Sequence, residues 1–144
     1  MPESIDSPPS PTDQDHCWLT RSPQAPARAR RVLRAFLRTV RDGERFVGTG
    51  ELLLSELVTN ALVHGTRRGQ LIRVGLEVDG ELLWISVEDA SGVPPQLRVT
   101  AEEESGRGLQ LVDTLAEKWG WGPRDGIGVG KRVWCSCAPD PAVR

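Results

Sequence analysis

The sequence predicts a two-layer α/β sandwich, in which about three helices cover one face of a mixed, mostly antiparallel sheet. Three observations support this fold class. The 144 residues are 38% hydrophobic, which suits a single domain with one core. Segments with apolar residues at helical spacing are interleaved with segments that alternate apolar and polar residues. A two-residue turn signal, Asp79-Gly80, joins two of the alternating segments as a hairpin.

The chain divides into one domain and two flanking segments. Residues 1–15 are rich in Pro, Ser and Asp and contain almost no apolar residues, so we expect a disordered N-terminal segment. The folded domain is expected over residues 16–138, and residues 139–144 are expected to form a frayed tail. At the start of the domain, "CWLT" at 17–20 predicts a short first strand.

The stretch "SPQAPARARRVLRAFLRTV" predicts the first helix, with Ser22 or Pro26 at its start. Its apolar residues recur at helical spacing: Val32, Leu33, Phe36, Leu37 and Val40. The other side carries a row of arginines: Arg28, Arg31, Arg34, Arg38 and Arg41. We interpret this arginine row as a solvated face, with a binding surface for an acidic partner or a second subunit as the alternative.

The remaining elements alternate between helix and strand. A second helix is predicted from Gly50 to His64, and "LIRVGLEV" and "ELLWISVED" then alternate like half-buried strands. The polar stretch "ASGVPPQLRVTAEEESGRG" is typical of a mobile loop. "GLQLVDTLAEKWG" predicts a third amphipathic helix that includes Trp119, "WGWG" begins another strand, and "KRVWCSC" forms the last one.

Composition and charge favour a soluble, cytoplasmic protein. The net charge of −2 gives no indication of direct nucleic-acid binding. No apolar run approaches the roughly 18 residues of a membrane span, and "MPESIDSPPSPTDQDH" lacks the order of a signal peptide. Cys135 and Cys137 fall on one face of the last strand and Cys17 has no evident partner, so we expect free thiols.

Three polar residues lie within the apolar arc of the second helix: Glu56, Asn60 and His64, in "ELVTNALVHG". A buried carboxylate without a partner costs several kcal/mol, so a core helix does not carry such residues by chance. The polar stripe therefore indicates either a satisfied internal network or a ligand cavity.

Two further features point toward a nucleotide. Asp89 falls on the same inward side as the alternating apolar residues of "LLWISVEDASG", where an ionised carboxylate can accept a hydrogen bond from an exocyclic amino group. Gly106 and Gly108 directly precede the third helix, where bare backbone and the helix N-terminus favour an anion. Taken singly, each has an ordinary alternative, namely a turn after the strand and a loop into the helix.

Two other segments resemble nucleotide-binding motifs but lack residues that those motifs require. "GIGVGKR" resembles a phosphate loop, but Asp125 stands where the first glycine is required, Arg132 replaces the Ser or Thr, and a strand follows. "GTGELL" lacks the third glycine and the preceding buried strand of a dinucleotide site.

Taken together, ExxxNAxxHG in "ELVTNALVHG", the strand ending in "EDASG" and "GRGLQLV" resemble the GHKL ATPase superfamily. Within it, the chain is most similar to the anti-sigma-factor serine/threonine kinases and related stand-alone ATP-binding regulators. The resemblance covers roughly residues 17–138 and implies a GHKL-type sandwich that binds Mg-ATP between the helix layer and a flexible lid.

The resemblance also implies roles for individual residues. Asn60 would ligate magnesium through its amide oxygen, and Glu56 would be the catalytic base or the carboxylate that orients water. Asp89 would accept from adenine N6, and Gly92 would line the adenine pocket. The phosphates would be held by the residues of the third motif: Gly106, Arg107 and Gly108. His64 would have a structural role at the helix end.

The function implied by this resemblance is that of an anti-sigma-factor kinase, which binds a sigma factor and phosphorylates a serine on an antagonist protein. Related regulators imply a homodimer. The alternative is a non-catalytic interaction module whose affinity for its partner is gated by bound nucleotide. Two departures from the family pattern support this alternative: Ser91 and Val93 replace glycines of the usual DxGxG, and the interval from Asp89 to Gly106 is short for a lid.

Overall fold

A computed structural model describes residues 14–95, 107–124 and 129–141 of the chain. The strands are β1 (Gln14–Thr20), β2 (Leu71–Asp79), β3 (Leu82–Asp89), β4 (Lys118–Pro123) and β5 (Lys131–Cys137), and the α-helices are α1 (Ala25–Thr39), α2 (Val47–Asn60) and α3 (Arg107–Leu115). A 3-10 turn at Gly43–Phe46 precedes α2 and a π turn at Ala61–Gly65 follows it. The sheet has the order β1-β2-β3-β5-β4, and each of these neighbouring pairs is antiparallel. The predicted sandwich with three helices is confirmed.

The alternation of apolar residues places the core on one face of the sheet. In β2, every second side chain from Ile72 to Val78 is buried, and in β3 the inward row ends with Asp89, which is 1% exposed. Because β3 lies between β2 and β5, this carboxylate sits at the end of the central strand rather than at a sheet edge.

Helix α2 is the central helix, since it packs against α1 and α3 and also against β3 and β5. Its buried apolar residues face the sheet: Leu53, Leu54, Leu57 and Val58. The stretch Gly43–Gly65 is, by length and composition alone, long and apolar enough to cross a membrane. The core helix of a globular protein passes the same test, and burial of these side chains against the sheet accounts for the composition.

The first turn of α2 receives its cap from the far end of the chain. Its N-cap residue, Phe46, makes no side-chain capping bond. The carboxylate of Asp140 accepts hydrogen bonds from the backbone N–H groups of Gly48 and Thr49, at 2.8 Å each, and its own N–H donates to the carbonyl oxygen of Arg45 at 2.6 Å. Asp140 falls in the segment for which the sequence predicts fraying, and this contact differs from that expectation.

Two other boundaries differ from the prediction. Strand β1 begins at Gln14, which pairs with Glu77, so the sheet extends two residues into the segment that we expected to be disordered. Residues 1–13 lie outside the described part of the chain. The third helix ends at Leu115 and Trp119 lies in β4 instead.

The reason for the short third helix is the glycine content of "KWGWG". A Cβ on Gly120 would lie 2.8 Å from the Trp134 ring of β5, so only glycine lets the two strands approach this closely. The N–H of Glu117 already donates to the Ser136 carbonyl at 2.8 Å, which takes the chain out of the helix and into the sheet. The hairpin between β2 and β3 also shifts by one residue, because Gly80 and Glu81 form its loop and Gly80 has a φ of 63°.

Candidate functional site

Two residues of the polar stripe, Glu56 and Asn60, lie one turn apart on α2. Asn60 is 7% exposed and Glu56 is half-buried. Among the described residues, neither side chain has a hydrogen-bonding partner, so no internal network satisfies them there. Burial raises the pKa of Glu56, and no cation among the described side chains acts against that rise. A buried amide and a partly desolvated carboxylate with free acceptor oxygens favour the ligand-cavity interpretation.

The π turn Ala61–Gly65 follows directly on Asn60 and carries the rest of the motif. Single π turns inside helices are rare and occur often at functional sites. The turn is closed by Thr66, whose hydroxyl donates to the carbonyl oxygen of Ala61 at 3.1 Å. The guanidinium of Arg21 in turn donates to the Thr66 carbonyl at 3.2 Å. His64 lies within this turn and is half-buried, at the helix end as the resemblance implies.

Gly65 brings the π turn into contact with the end of β3. A Cβ on residue 65 would overlap the Oδ2 atom of Asp89, so the glycine permits the approach. Asn60 and Asp89, which are distant in sequence, are therefore attached to two elements that meet at one point of the fold.

Asp89 is paired with a buried lysine. The Nζ atom of Lys131 lies 2.9 Å from Oδ2 and 3.1 Å from Oδ1, and Lys131 is 2% exposed. The backbone N–H of Ser91 also donates to Oδ1, at 2.9 Å. Burial raises the pKa of Asp89, while the Lys131 ammonium and the Ser91 N–H act against that rise.

The sequence analysis did not identify Lys131 as a site residue. The signal was nevertheless present, because strict alternation in "KRVWCSC" puts Lys131 on the same inward side as Val133, Cys135 and Cys137. A lysine at an inward position of a central strand requires a buried partner of opposite charge.

A cavity of about 480 Å³ opens beside this meeting point. It is lined by the π turn, the connection from that turn to β2, the loop after β3 and one residue before β5: His64, Gly65, Thr66, Arg67, Gln70, Ala90, Ser91, Gly92, Val93 and Val129. Asp89 lies just beneath this wall. Gly92 forms part of it, and a Cβ there would lie 3.0 Å from the Val129 side chain. A larger cavity, about 620 Å³, lies on the sheet face away from the helices and contains none of the predicted site residues.

The third predicted motif is described only in part. Gly106 lies outside the described residues, and Arg107 and Gly108 form the start of α3. Since α3 packs against α2, this helix start belongs to the same layer as Glu56 and Asn60.

Comparison with known proteins places the chain in a family. A sequence model described as the histidine kinase-like ATPase domain matches residues 19–134, which is most of the chain. The chain belongs to the histidine kinase-like ATPase domain family. The GHKL resemblance of its motifs is thereby confirmed, and the fold is of the GHKL type.

A solved structure shares the fold. The crystal structure of the RsbU and RsbW domains of Rv1364c from Mycobacterium tuberculosis aligns with a TM-score of 0.63 and 20% identity, over 94% of this chain and 35% of that chain. At this identity the similarity shows the fold alone, and this histidine kinase-like ATPase domain spans about a third of that chain. No curated protein matches the sequence.

Family membership identifies the protein as an ATP-binding domain. The donor set fits such a ligand, because the Asn60 amide, which has no partner among the described residues, offers a hard oxygen to a cation, and Asp89 offers an acceptor just beneath the cavity wall. The described residues contain no group of three or more His, Cys, Asp or Glu side chains suited to hold a metal. One amide oxygen together with ATP phosphates is a typical set of partners for magnesium, which keeps several of its waters.

Proposed function

We propose that this histidine kinase-like ATPase domain binds Mg-ATP and acts as a cytoplasmic anti-sigma-factor serine/threonine kinase. It would bind a sigma factor, phosphorylate a serine on an antagonist protein, and work as a homodimer. The observation that carries the proposal is that, among the described residues, the polar side chains of Glu56 and Asn60 on α2 have no hydrogen-bonding partner, while the π turn that follows them meets Asp89 at Gly65, beside the cavity. The motif resemblance to anti-sigma kinases and the fold shared with an RsbW domain support the regulatory role.

Each predicted site residue has a defined task in this proposal. Bound Mg-ATP supplies the γ-phosphoryl group. Asn60 holds the cation through its amide oxygen, Asp89 accepts from the adenine amino group, and Gly92 lets the base lie against the backbone. The phosphates rest on the start of the third helix, at Gly106, Arg107 and Gly108, where the helix dipole favours anions.

Glu56 acts on the protein substrate. It takes the proton of the serine hydroxyl as that oxygen bonds to the γ-phosphorus and ADP leaves. Its raised pKa makes the carboxylate a stronger base than an exposed glutamate. Phosphoryl transfer depends mostly on positioning and charge stabilisation, so the rigid helical spacing of Glu56 and Asn60 matters as much as their chemistry.

A second candidate function is a nucleotide-gated binding module without phosphoryl transfer. The loop after β3 favours it, because Ser91 bonds to Asp89 through its N–H and accepts the Val93 N–H on its hydroxyl at 3.0 Å. These bonds hold the loop in a fixed turn where the family usually has two glycines, so it is less free to rearrange over a nucleotide.

Transfer of labelled γ-phosphate separates the two functions. The purified chain is incubated with Mg-ATP and candidate antagonist proteins, each as wild type and with its acceptor serine changed to alanine. The kinase proposal predicts label on the wild-type antagonist only. ATP-dependent partner binding without label on any antagonist would favour the gated module.

A further inference from the structure

Lys131 is a buried cation to which the proposed function gives no task. It is the first residue of β5 and lies directly opposite Asp89 in the antiparallel register. Its inward neighbours on the strand are apolar, and an ammonium in such surroundings is expensive unless it is paired. The pair is completed at 2.9 Å, so both charges are accommodated at the base of the cavity.

Among the described residues, the hydrogen bonds of Asp89 leave one acceptor position open. A carboxylate has about four lone-pair positions. On Oδ1, the Ser91 N–H and the Lys131 ammonium occupy two of them, and on Oδ2 the ammonium occupies one. The remaining position is on Oδ2, the atom next to Gly65. Asp89 is 1% exposed and does not itself line the cavity, but Gly65, which does, separates that oxygen from the cavity without a side chain.

We propose that Lys131 is a positioning residue for purine recognition: it fixes the Asp89 carboxylate so that the open position on Oδ2 faces the 6-amino group of the base. This inference rests on the proposed function, because it assumes that the Asp89 cavity receives adenine. Lys131 does not touch the base in this proposal, but it determines how much the 6-amino group contributes to the affinity for ATP.

The electrostatics of the pair support this role. An ionised Asp89 is an acceptor, whereas a protonated one presents an O–H donor to an amino group that also donates. Burial raises the pKa of Asp89, and Lys131 from β5 and Arg124 beyond β4 act in the opposite direction. The π turn adds His64 to the surroundings, and Arg67 lies further out on the cavity wall. Without Lys131, the carboxyl should be protonated at a higher pH, and a protonated carboxyl is a weaker acceptor than a carboxylate.

The first test compares ATP with purine riboside triphosphate, which lacks the 6-amino group, in calorimetric titrations. Wild type should bind ATP more tightly than purine riboside triphosphate. Lys131→Met keeps the length of the side chain but removes its charge, and the ratio of the two affinities should fall at least tenfold in this variant at pH 7. The preference should return as the pH is raised, because Asp89 then ionises. Lys118→Met is the matched control, since Lys118 is exposed at the start of β4 and should leave the preference unchanged.

The second test uses the unaltered protein, so it does not depend on whether Lys131→Met folds. The chain contains two lysines, Lys118 and Lys131, so lysine labelled with ¹⁵N and ¹³C gives two side-chain NMR signals, assigned with Lys118→Arg. The Lys131 signal should shift on addition of ATP and shift less with purine riboside triphosphate. A Lys131 signal unmoved by bound ATP, or an ATP preference unchanged in Lys131→Met at every pH, would overturn this inference alone. Failure of wild type to bind ATP would instead contradict the proposed function.

Discussion

The carboxylate of Asp140 lies against the backbone of Gly48 and closes the N-terminus of α2 from the other end of the chain. The helix that carries Glu56 and Asn60 is thus fixed at its start by a residue 92 positions from Gly48. Capping residues typically contribute about 1 to 2 kcal/mol, so Asp140→Ala should lower the free energy of unfolding by about that amount. Chemical denaturation measures it, and Asp140→Asn should recover part of the loss.

The control for this substitution is Asp79→Ala, at the exposed end of β2, which should change the free energy of unfolding by less than about 0.5 kcal/mol. Equal effects of the two substitutions would mean that the Asp140 cap contributes nothing.

The arginines of the row on α1 differ in their contacts. Arg34 makes two hydrogen bonds to Glu51 of α2, at 2.7 and 2.8 Å, so one of its members is engaged within the chain. Arg38 is exposed, and no ion pair with a described residue holds it. If the row binds an acidic partner, Arg38→Glu should slow association several-fold at low salt and much less at high salt. Stopped-flow mixing with the partner measures this, and an unchanged rate at both salt concentrations would identify a solvated face.

The cysteines should differ in reactivity according to their burial. Burial raises the pKa of Cys135 and of Cys137 to about 12 each, so both remain protonated thiols at pH 8. Cys17 is only half-buried, although its pKa is raised as well. Iodoacetamide at pH 8 should therefore modify the native protein once at most, at Cys17, and the unfolded protein three times. Mass spectrometry counts the additions, and rapid native labelling of Cys135 would contradict the burial of β5.

The base contact is tested by Asp89→Asn. This change puts a donor toward the adenine amino group and should weaken ATP binding by about 1 to 3 kcal/mol. It also leaves Lys131 buried without its partner, so the folded fraction must be measured alongside. The substitution should weaken the binding of purine riboside triphosphate less, because that nucleotide has no 6-amino group. Equal losses for the two nucleotides would argue against an adenine contact at Asp89.

Much of the site is predictable because its residues are polar at positions where the hydrophobic pattern calls for an apolar side chain. Glu56 and Asn60 interrupt an apolar helical arc, and Asp89 ends an apolar strand face, so sequence periodicity alone places them toward the core. The partnership of Lys131 with Asp89 depends on strand register, which the sequence does not specify between non-consecutive strands.

Other features depend on long-range contacts that no local pattern announces. Asp140 follows the last strand and looks like part of a polar tail until its contact with α2 is known. Trp119 fits a helical period equally well, and the pairing of "KWGWG" with β5 prevails over that period. The π turn after Asn60 likewise contacts β3, and no local propensity predicts that contact.

The catalytic role of Glu56 predicts a separation of binding from transfer. As a general base it acts in the transition state, so Glu56→Ala should leave ATP affinity within a few-fold while phosphoryl transfer falls by roughly 10² to 10⁴. Because burial raises the pKa of Glu56, transfer by wild type should decline as the pH falls through that value, and Glu56→Gln should lack this decline. Single-turnover kinetics across pH measure both effects. Full transfer activity in Glu56→Ala would show that Glu56 is not the general base.

The most direct test of the central claim is the magnesium dependence of ATP binding in Asn60→Ala. Asn60 is the proposed protein ligand to the cation, so calorimetric titration of wild type should show much tighter ATP binding with magnesium than with a chelator, and Asn60→Ala should lose most of that difference. Thr59→Ala, one residue earlier on α2, should retain it. If Asn60→Ala binds ATP as tightly as wild type in the presence of magnesium and keeps every partner interaction, the proposed Mg-ATP site at Asn60 is wrong.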